Sequence, residues 1–96
     1  MSIDIVSKNI DTGEKRERLI LMDDYGAEFH VYVPVTATAT ERATSLQNAI
    51  TLMQSNQDAM EAYATVNGHD LSAQKAAGIA KKTALLATLV QPISKP

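Results

Sequence analysis

The sequence contains no cysteine and no tryptophan, and it has only one phenylalanine. Without cysteine, the chain cannot form disulfides, thiolate zinc sites, iron–sulfur clusters or thiol nucleophiles. The absence of cysteine also leaves the redox compartment of the protein undetermined.

Long hydrophobic runs are missing as well. The longest apolar stretch, residues 84–90, is interrupted by Thr88 and is far shorter than the roughly 20 residues that cross a bilayer. Asp4 lies where a signal peptide would carry its apolar segment. The last predicted helix has lysines but no aromatic anchor on its polar side. We therefore expect a soluble chain that is not secreted by a signal peptide and does not bind membranes.

Neither sign of charge dominates, since nine basic and eleven acidic residues give a net charge of −2. Nucleic-acid-binding domains usually carry a basic stripe, whereas Arg16 and Arg18 are interleaved with glutamates. Phe29 and Tyr32 could stack on bases, but their opposite parity on a strand places them on opposite faces. We expect no nucleic-acid partner.

No group of residues forms a catalytic or metal-binding motif. His30 and His69 are isolated, and there is no HExxH spacing. The four glycines form neither a dinucleotide-binding nor a phosphate-binding loop, and residues 23–26 lack the ligand pattern of a calcium loop. The sequence therefore predicts no enzyme, catalytic residue, metal, cofactor or small-molecule substrate.

The first third of the chain has the pattern of a β-meander. Apolar and polar residues alternate over 2–5 and 28–35, and residues 19–22 form a short apolar run. Between these segments the pattern Asp-x-Gly occurs twice, at 11–13 and 24–26. This pattern predicts two tight turns, each closed by a glycine in the left-handed region.

Pro34 indicates which strand lies at an edge of the predicted sheet. Proline cannot donate to a ladder, so the third strand is expected at an edge and the second in the centre. The edge from Phe29 to Val33 could also pair with a strand from another chain.

A helix signal follows the meander. Thr38 and Glu41 have the spacing of a capping box, which predicts a helix start near Thr38 or Thr40. The apolar spacing leaves two alternatives: the helix runs unbroken to Val66, or it stops near residues 55–56.

Asn67 and Gly68 are expected to end this helical region, because glycine readily adopts the left-handed conformation after a helix. A last helix is expected to start at Asp70 or Ser72 and to run to about Gln91, before Pro92.

The predicted fold class is α+β, with a three-stranded antiparallel β-meander followed by an α-helical hairpin packed on one face of the sheet. A length of 96 residues fits one domain. Its parts would be the meander at 1–36, the helices at 38–91 with a break near 67–70, and a tail at 92–96.

The supply of large apolar side chains is small, because 14 residues are alanine. A helical projection gathers five alanines into one stripe that should face the core, namely Ala73, Ala77, Ala80, Ala84 and Ala87. Leu85 and Leu89 fall on the opposite arc and would then point outward. The second strand is apolar on both faces, and the sequence leaves open which face is outward. The predicted interface residues are Leu85, Leu89, Gly78, Ile20, Met22 and Tyr32.

Apolar residues directed away from a small core indicate protein partners. The sequence predicts a small non-enzymatic structural or adaptor subunit that forms a homo-oligomer or enters a multi-protein assembly. It would be intracellular or incorporated in a virion, for example of the bacteriophage type, although no motif points to that example. The alternative is a soluble regulator or inhibitor that binds a single target protein.

Overall fold

A computed structural model describes residues 3–89 as a three-stranded sheet followed by two helices. The elements are β1 (Asp4–Asp11), β2 (Arg16–Met22), β3 (Glu28–Pro34), α1 (Ala39–Val66) and α2 (Ser72–Leu89). The sheet is open and antiparallel in the order β1-β2-β3, and both helices pack on it. The predicted α+β fold is confirmed. The predicted helix end near Gln91 and the tail at 92–96 lie outside the described residues.

The turn between β2 and β3 forms as predicted. The Asp23 carboxylate accepts hydrogen bonds from the backbone N–H groups of Tyr25 and Ala27, both at 2.9 Å. Gly26 adopts the left-handed region with φ +80°, which costs glycine little because it has no Cβ.

The turn between β1 and β2 differs from the prediction. The residue in the left-handed region is Lys15, with φ 56°, and not Gly13. The strands pair as far as Asp11 and Arg16, so the loop is longer than a three-residue turn and its last residue closes it. The Asp11 carboxylate accepts hydrogen bonds from the N–H groups of Gly13 and Glu14.

The burial of residues on the central strand, β2, shows which face of the sheet is inward. Leu19 and Leu21 are buried against α1, whereas Ile20 lies on the other face and is half-buried. The core cluster consists of Leu19, Leu21, Val31, Val33, Ala49 and Met53. The alternation of β2 and β3 therefore produces one apolar face, and α1 covers it.

Helix α1 begins with the predicted capping box. The Thr38 hydroxyl accepts from the Glu41 N–H at 3.1 Å, and the Glu41 carboxylate accepts from the Thr38 N–H at 2.8 Å. The helix runs unbroken to Val66. Met53 and Gln57 are buried on either side of residues 55–56, so packing holds the helix together through that segment.

Helix α2 is rotated relative to the prediction. All five members of the predicted inward alanine stripe are exposed, whereas Gly78 and Lys82 are buried. Gly78 lies against the backbone of Asp24 and Tyr25, where a Cβ would come closer than 3.0 Å. The predicted orientation is therefore wrong, because close backbone approach and ion pairing, rather than apolar periodicity, determine the inward face.

The two helices pack on opposite edge strands, α1 against β3 and α2 against β1. The loop at 23–27 connects them. The Tyr25 hydroxyl donates to the Glu61 carboxylate of α1 at 2.6 Å, and the Lys82 ammonium of α2 donates to Asp24 at 2.7 Å. This loop therefore fixes both helices relative to the sheet.

Candidate protein-interaction surface

Of the six predicted interface residues, two are buried and two lie on the inward arc of α2. Met22 and Gly78 are buried within the chain, so neither is accessible at the surface of the single chain. Leu85 and Leu89 lie on the same arc of α2 as Gly78 and Lys82, which faces the rest of the domain. Leu85 is half-buried there, and Leu89 is exposed near the helix end.

The other two residues, Ile20 and Tyr32, share the outer face of the sheet. Tyr32 is exposed and lies beneath the Arg16 guanidinium, 4.3 Å from Cζ to the ring centroid. Phe29 packs on the core cluster instead, which confirms that the two aromatic residues lie on opposite faces. A cavity of about 410 Å³ beside Tyr32 is lined by Asn9, Ile10, Asp11, Thr12, Arg16 and Arg18. This end of the outer face is polar and carries both signs of charge.

The outer edge of β3 presents unpaired backbone groups. The Val35 N–H donates to the Lys15 carbonyl across the β2–β3 ladder at 3.1 Å. Hydrogen-bonding direction alternates along an antiparallel strand, so the odd-numbered residues of β3 face β2 and the even-numbered residues face away. No strand of residues 3–89 lies beyond β3. Glu28, His30 and Tyr32 therefore direct both N–H and C=O groups outward. Pro34 has no N–H, and its carbonyl accepts a hydrogen bond from the Ala37 N–H at 3.0 Å.

One side of α1 exposes large apolar residues. Leu52, Met60, Tyr63 and Val66, here termed the α1 flank, are 49%, 39%, 68% and 85% exposed. At the helical angle of about 100° per residue they lie within about 120° of one another. They are centred about 90° from the buried stripe, so the apolar surface of α1 is wider than the sheet that covers it.

Leu52, the first residue of the α1 flank, lines a groove beside the β3 edge. The groove has a volume of about 360 Å³ and is lined by Phe29, His30, Val31, Tyr32, Ser45, Asn48, Ala49 and Leu52. Residues of β3 line one side of the groove and residues of α1 line the other. A groove of this construction accepts an extended strand at the sheet edge together with apolar side chains against the helix.

The apolar spacing of the sequence follows one stripe of α1, which consists of Ala43, Leu46, Ile50, Met53, Met60 and Ala64. Met53 and Ala64 are buried, whereas Met60 is 39% exposed. Tyr63 and Val66 fall beside this stripe, so the spacing did not indicate them. The signal that could have found them was size, because large apolar side chains off the main stripe widen the apolar arc beyond what one sheet covers.

A second cavity, of about 340 Å³, lies where α1 and α2 meet and is lined in part by Tyr25, Glu61, His69, Asp70 and Lys75. The hydrogen bond to Glu61 and burial raise the pKa of Tyr25 to about 12. Hydrogen bonds from Ser72 lower the pKa of Asp70. A general acid or base works best with a pKa near neutrality. Both shifts move the pKa further from neutrality. These contacts stabilise the helix junction.

The most buried charged group is Lys82, which pairs with Asp24 at 2.7 Å and with Asp4 at 3.2 Å. Burial alone would lower the pKa of its ammonium, but the hydrogen bonds and charges of the two carboxylates outweigh it and raise the pKa. The ammonium therefore stays charged, and the cluster joins α2 to β1 and to the β2–β3 loop. Within residues 3–89, no group of three or more histidine, aspartate or glutamate side chains could hold a metal ion.

No protein-family model, curated protein or solved structure matches the chain. Neither helix within residues 3–89 is long and apolar enough to cross a membrane. The proposal below therefore rests on the surface geometry.

Proposed function

We propose that the protein is a small non-enzymatic structural or adaptor subunit of a larger protein assembly. The observation that carries the proposal is the α1 flank. Its four large apolar residues lie on one side of a single helix and are between 39% and 85% exposed in the described chain. Surfaces of this kind in water-exposed proteins typically mark protein–protein contacts.

The contacts of the polar residues support the same function. Tyr25 and Lys82 hold elements of the fold together, and Asp70 accepts hydrogen bonds from Ser72 at the start of α2. By contrast, the fold positions the α1 flank and the β3 edge, but these two surfaces contribute little to holding the fold together. A bacteriophage-type virion is one kind of assembly that such a subunit would enter.

The proposal is tested by recovering the tagged chain from its own cells after mild cross-linking and determining the stoichiometry by native mass spectrometry. We expect the chain in complexes of fixed stoichiometry. The double variant Tyr63→Ser, Val66→Ser should lose them, because it removes two side chains of the α1 flank. Ile10→Ser is the matched control, since Ile10 is similarly exposed but lies at the far end of β1.

Two results would count against the proposal. A chain recovered as a free monomer would contradict it outright. A complex with one soluble target in equal amounts would instead favour the alternative of a regulator or inhibitor.

A further inference from the structure

We propose that the occupant of the β3 edge and its groove is a second copy of this chain. Two β3 strands would pair antiparallel across a two-fold axis, giving a continuous six-stranded sheet with the two α1 helices side by side. This inference rests on the proposed function and names the partner that the β3 edge accepts.

The backbone of β3 is suited to pairing with itself. A two-fold axis brings each outward N–H of one strand to an outward C=O of the same strand in the other copy. Pro34 has no donor to offer, so the pairing should centre on the first half of β3. With the axis at His30, the pairs are His30 with the partner's His30 and Glu28 with the partner's Tyr32. Every paired residue then lies within Glu28–Pro34, and the two Glu28 carboxylates stay apart.

The same register continues the apolar core across the axis. It places Phe29 opposite the partner's Val31 on the face that carries the core cluster. Aromatic and β-branched residues in opposite positions stabilise antiparallel strands. Phe29 is only half-buried in the single chain, and a second copy would cover it.

The charge distribution of α1 also favours a second copy. A two-fold axis brings the same surface of both copies together. A surface with charge of one sign therefore repels its own copy, whereas neutral side chains do not. No Asp, Glu, Lys, Arg or His occurs between Arg42 and Asp58. The groove lies against this segment, at Ser45, Asn48 and Leu52. Serine and asparagine both donate and accept hydrogen bonds, so each can pair with its own copy.

Sedimentation velocity over a range of concentrations tests the proposal. The wild-type chain should reach twice its monomer mass of 10.4 kDa. His30→Pro removes the outward N–H without removing a bond to β2, and should weaken the dimer roughly 30-fold because two backbone hydrogen bonds across the axis are lost. His30→Thr, which keeps the N–H and removes the imidazole, should leave the dimer intact.

A second variant covers the case in which proline disturbs the strand. Leu52→Lys places two charges in the shared groove and should also give monomer, with an unchanged circular dichroism spectrum because Leu52 is half exposed. Ile10→Lys, on β1, is the matched control and should remain a dimer.

A wild-type chain that stays monomeric at every concentration would overturn the proposal. So would a dimer that persists in the folded Leu52→Lys variant. If such a monomer still formed complexes of fixed stoichiometry with another protein, only self-pairing would fail and the proposed function would stand.

Discussion

At the scale of single residues, Lys82 shows how this fold uses a charge in place of an apolar contact. The residue is 4% exposed, and two carboxylates from different parts of the meander surround its ammonium. A buried ion pair need not stabilise a fold more than apolar packing would, but removing one partner leaves the other charge buried and unpaired.

We expect Lys82→Ala to lower the free energy of unfolding by about 3 kcal/mol, because the buried Asp24 carboxylate would lose its ion pair with the Lys82 ammonium. Urea unfolding followed by circular dichroism measures the change. Lys81→Ala is the control, since the Lys81 ammonium is exposed and lies 3.8 Å from Glu28, and it should change stability by less than about 1 kcal/mol. Equal effects of the two substitutions would show that the buried pair is not important.

Tyr25 gives a pH dependence that can be observed directly. Its pKa is raised from 10.0 to about 12, so its bond to Glu61 contributes stability that is complete below pH 10 and is lost as the pH rises toward 12. In an absorbance titration of the three tyrosines, we expect one to ionise later than the others. Tyr25→Phe should remove that late step. A late step that survives in this variant would assign it to another tyrosine.

Single residues also mark a limit of sequence reasoning. Lys82 belongs to a polar arc that the helical projection directs toward solvent. Its inward position depends on Asp4 and Asp24, which lie far away in the sequence and are brought near by the fold. The spacing of apolar residues cannot reveal an ion pair between residues so far apart in the sequence. The cap at Thr38 and Glu41 could be predicted, because both partners lie within one helical turn.

At the scale of elements, the contact between α2 and the β2–β3 loop depends on the absence of a side chain at Gly78. In an ordinary helix interior, Gly→Ala stabilises by about 1 kcal/mol. Here the added methyl would meet the backbone of Asp24 and Tyr25, so we expect Gly78→Ala to destabilise the fold. Urea unfolding tests the sign of the change.

Gly13→Ala is the matched control for that experiment. Gly13 lies in the first turn, outside the left-handed region, and an added Cβ would come no closer than 3.4 Å to the Asp11 carboxylate. Its effect should be small. A gain in stability from Gly78→Ala would mean that α2 does not approach the loop as closely as described.

The elements differ in how far the sequence could predict them. The three strands, the cap of α1 and the left-handed Gly68 after it depend on neighbouring residues, and all are present, although β1 and β2 extend beyond the predicted segments. The orientation of α2 depends on tertiary contacts with Asp24 and Tyr25. The continuity of α1 through residues 55–56 depends on packing, and local signals left it open.

At the scale of the whole molecule, the chain is thin and open. Its extents are 47 × 35 × 21 Å, and its radius of gyration of 15.7 Å exceeds the roughly 12 Å expected for a compact chain of this length. The sequence indicated too few large apolar residues for a generous core, and the structure shows that several of these residues lie on the α1 flank. A chain of this shape gains stability from a partner that covers that flank.

Amide hydrogen exchange read residue by residue by NMR tests most directly whether the β3 edge is covered. The N–H groups of His30 and Tyr32 point away from β2, whereas those of Val31 and Val33 point toward it. Val31 and Val33 should be protected at every protein concentration. His30 and Tyr32 should exchange fast in dilute solution and become protected as the concentration rises. Fast exchange at His30 and Tyr32 at every concentration would contradict the pairing of β3 with a second copy.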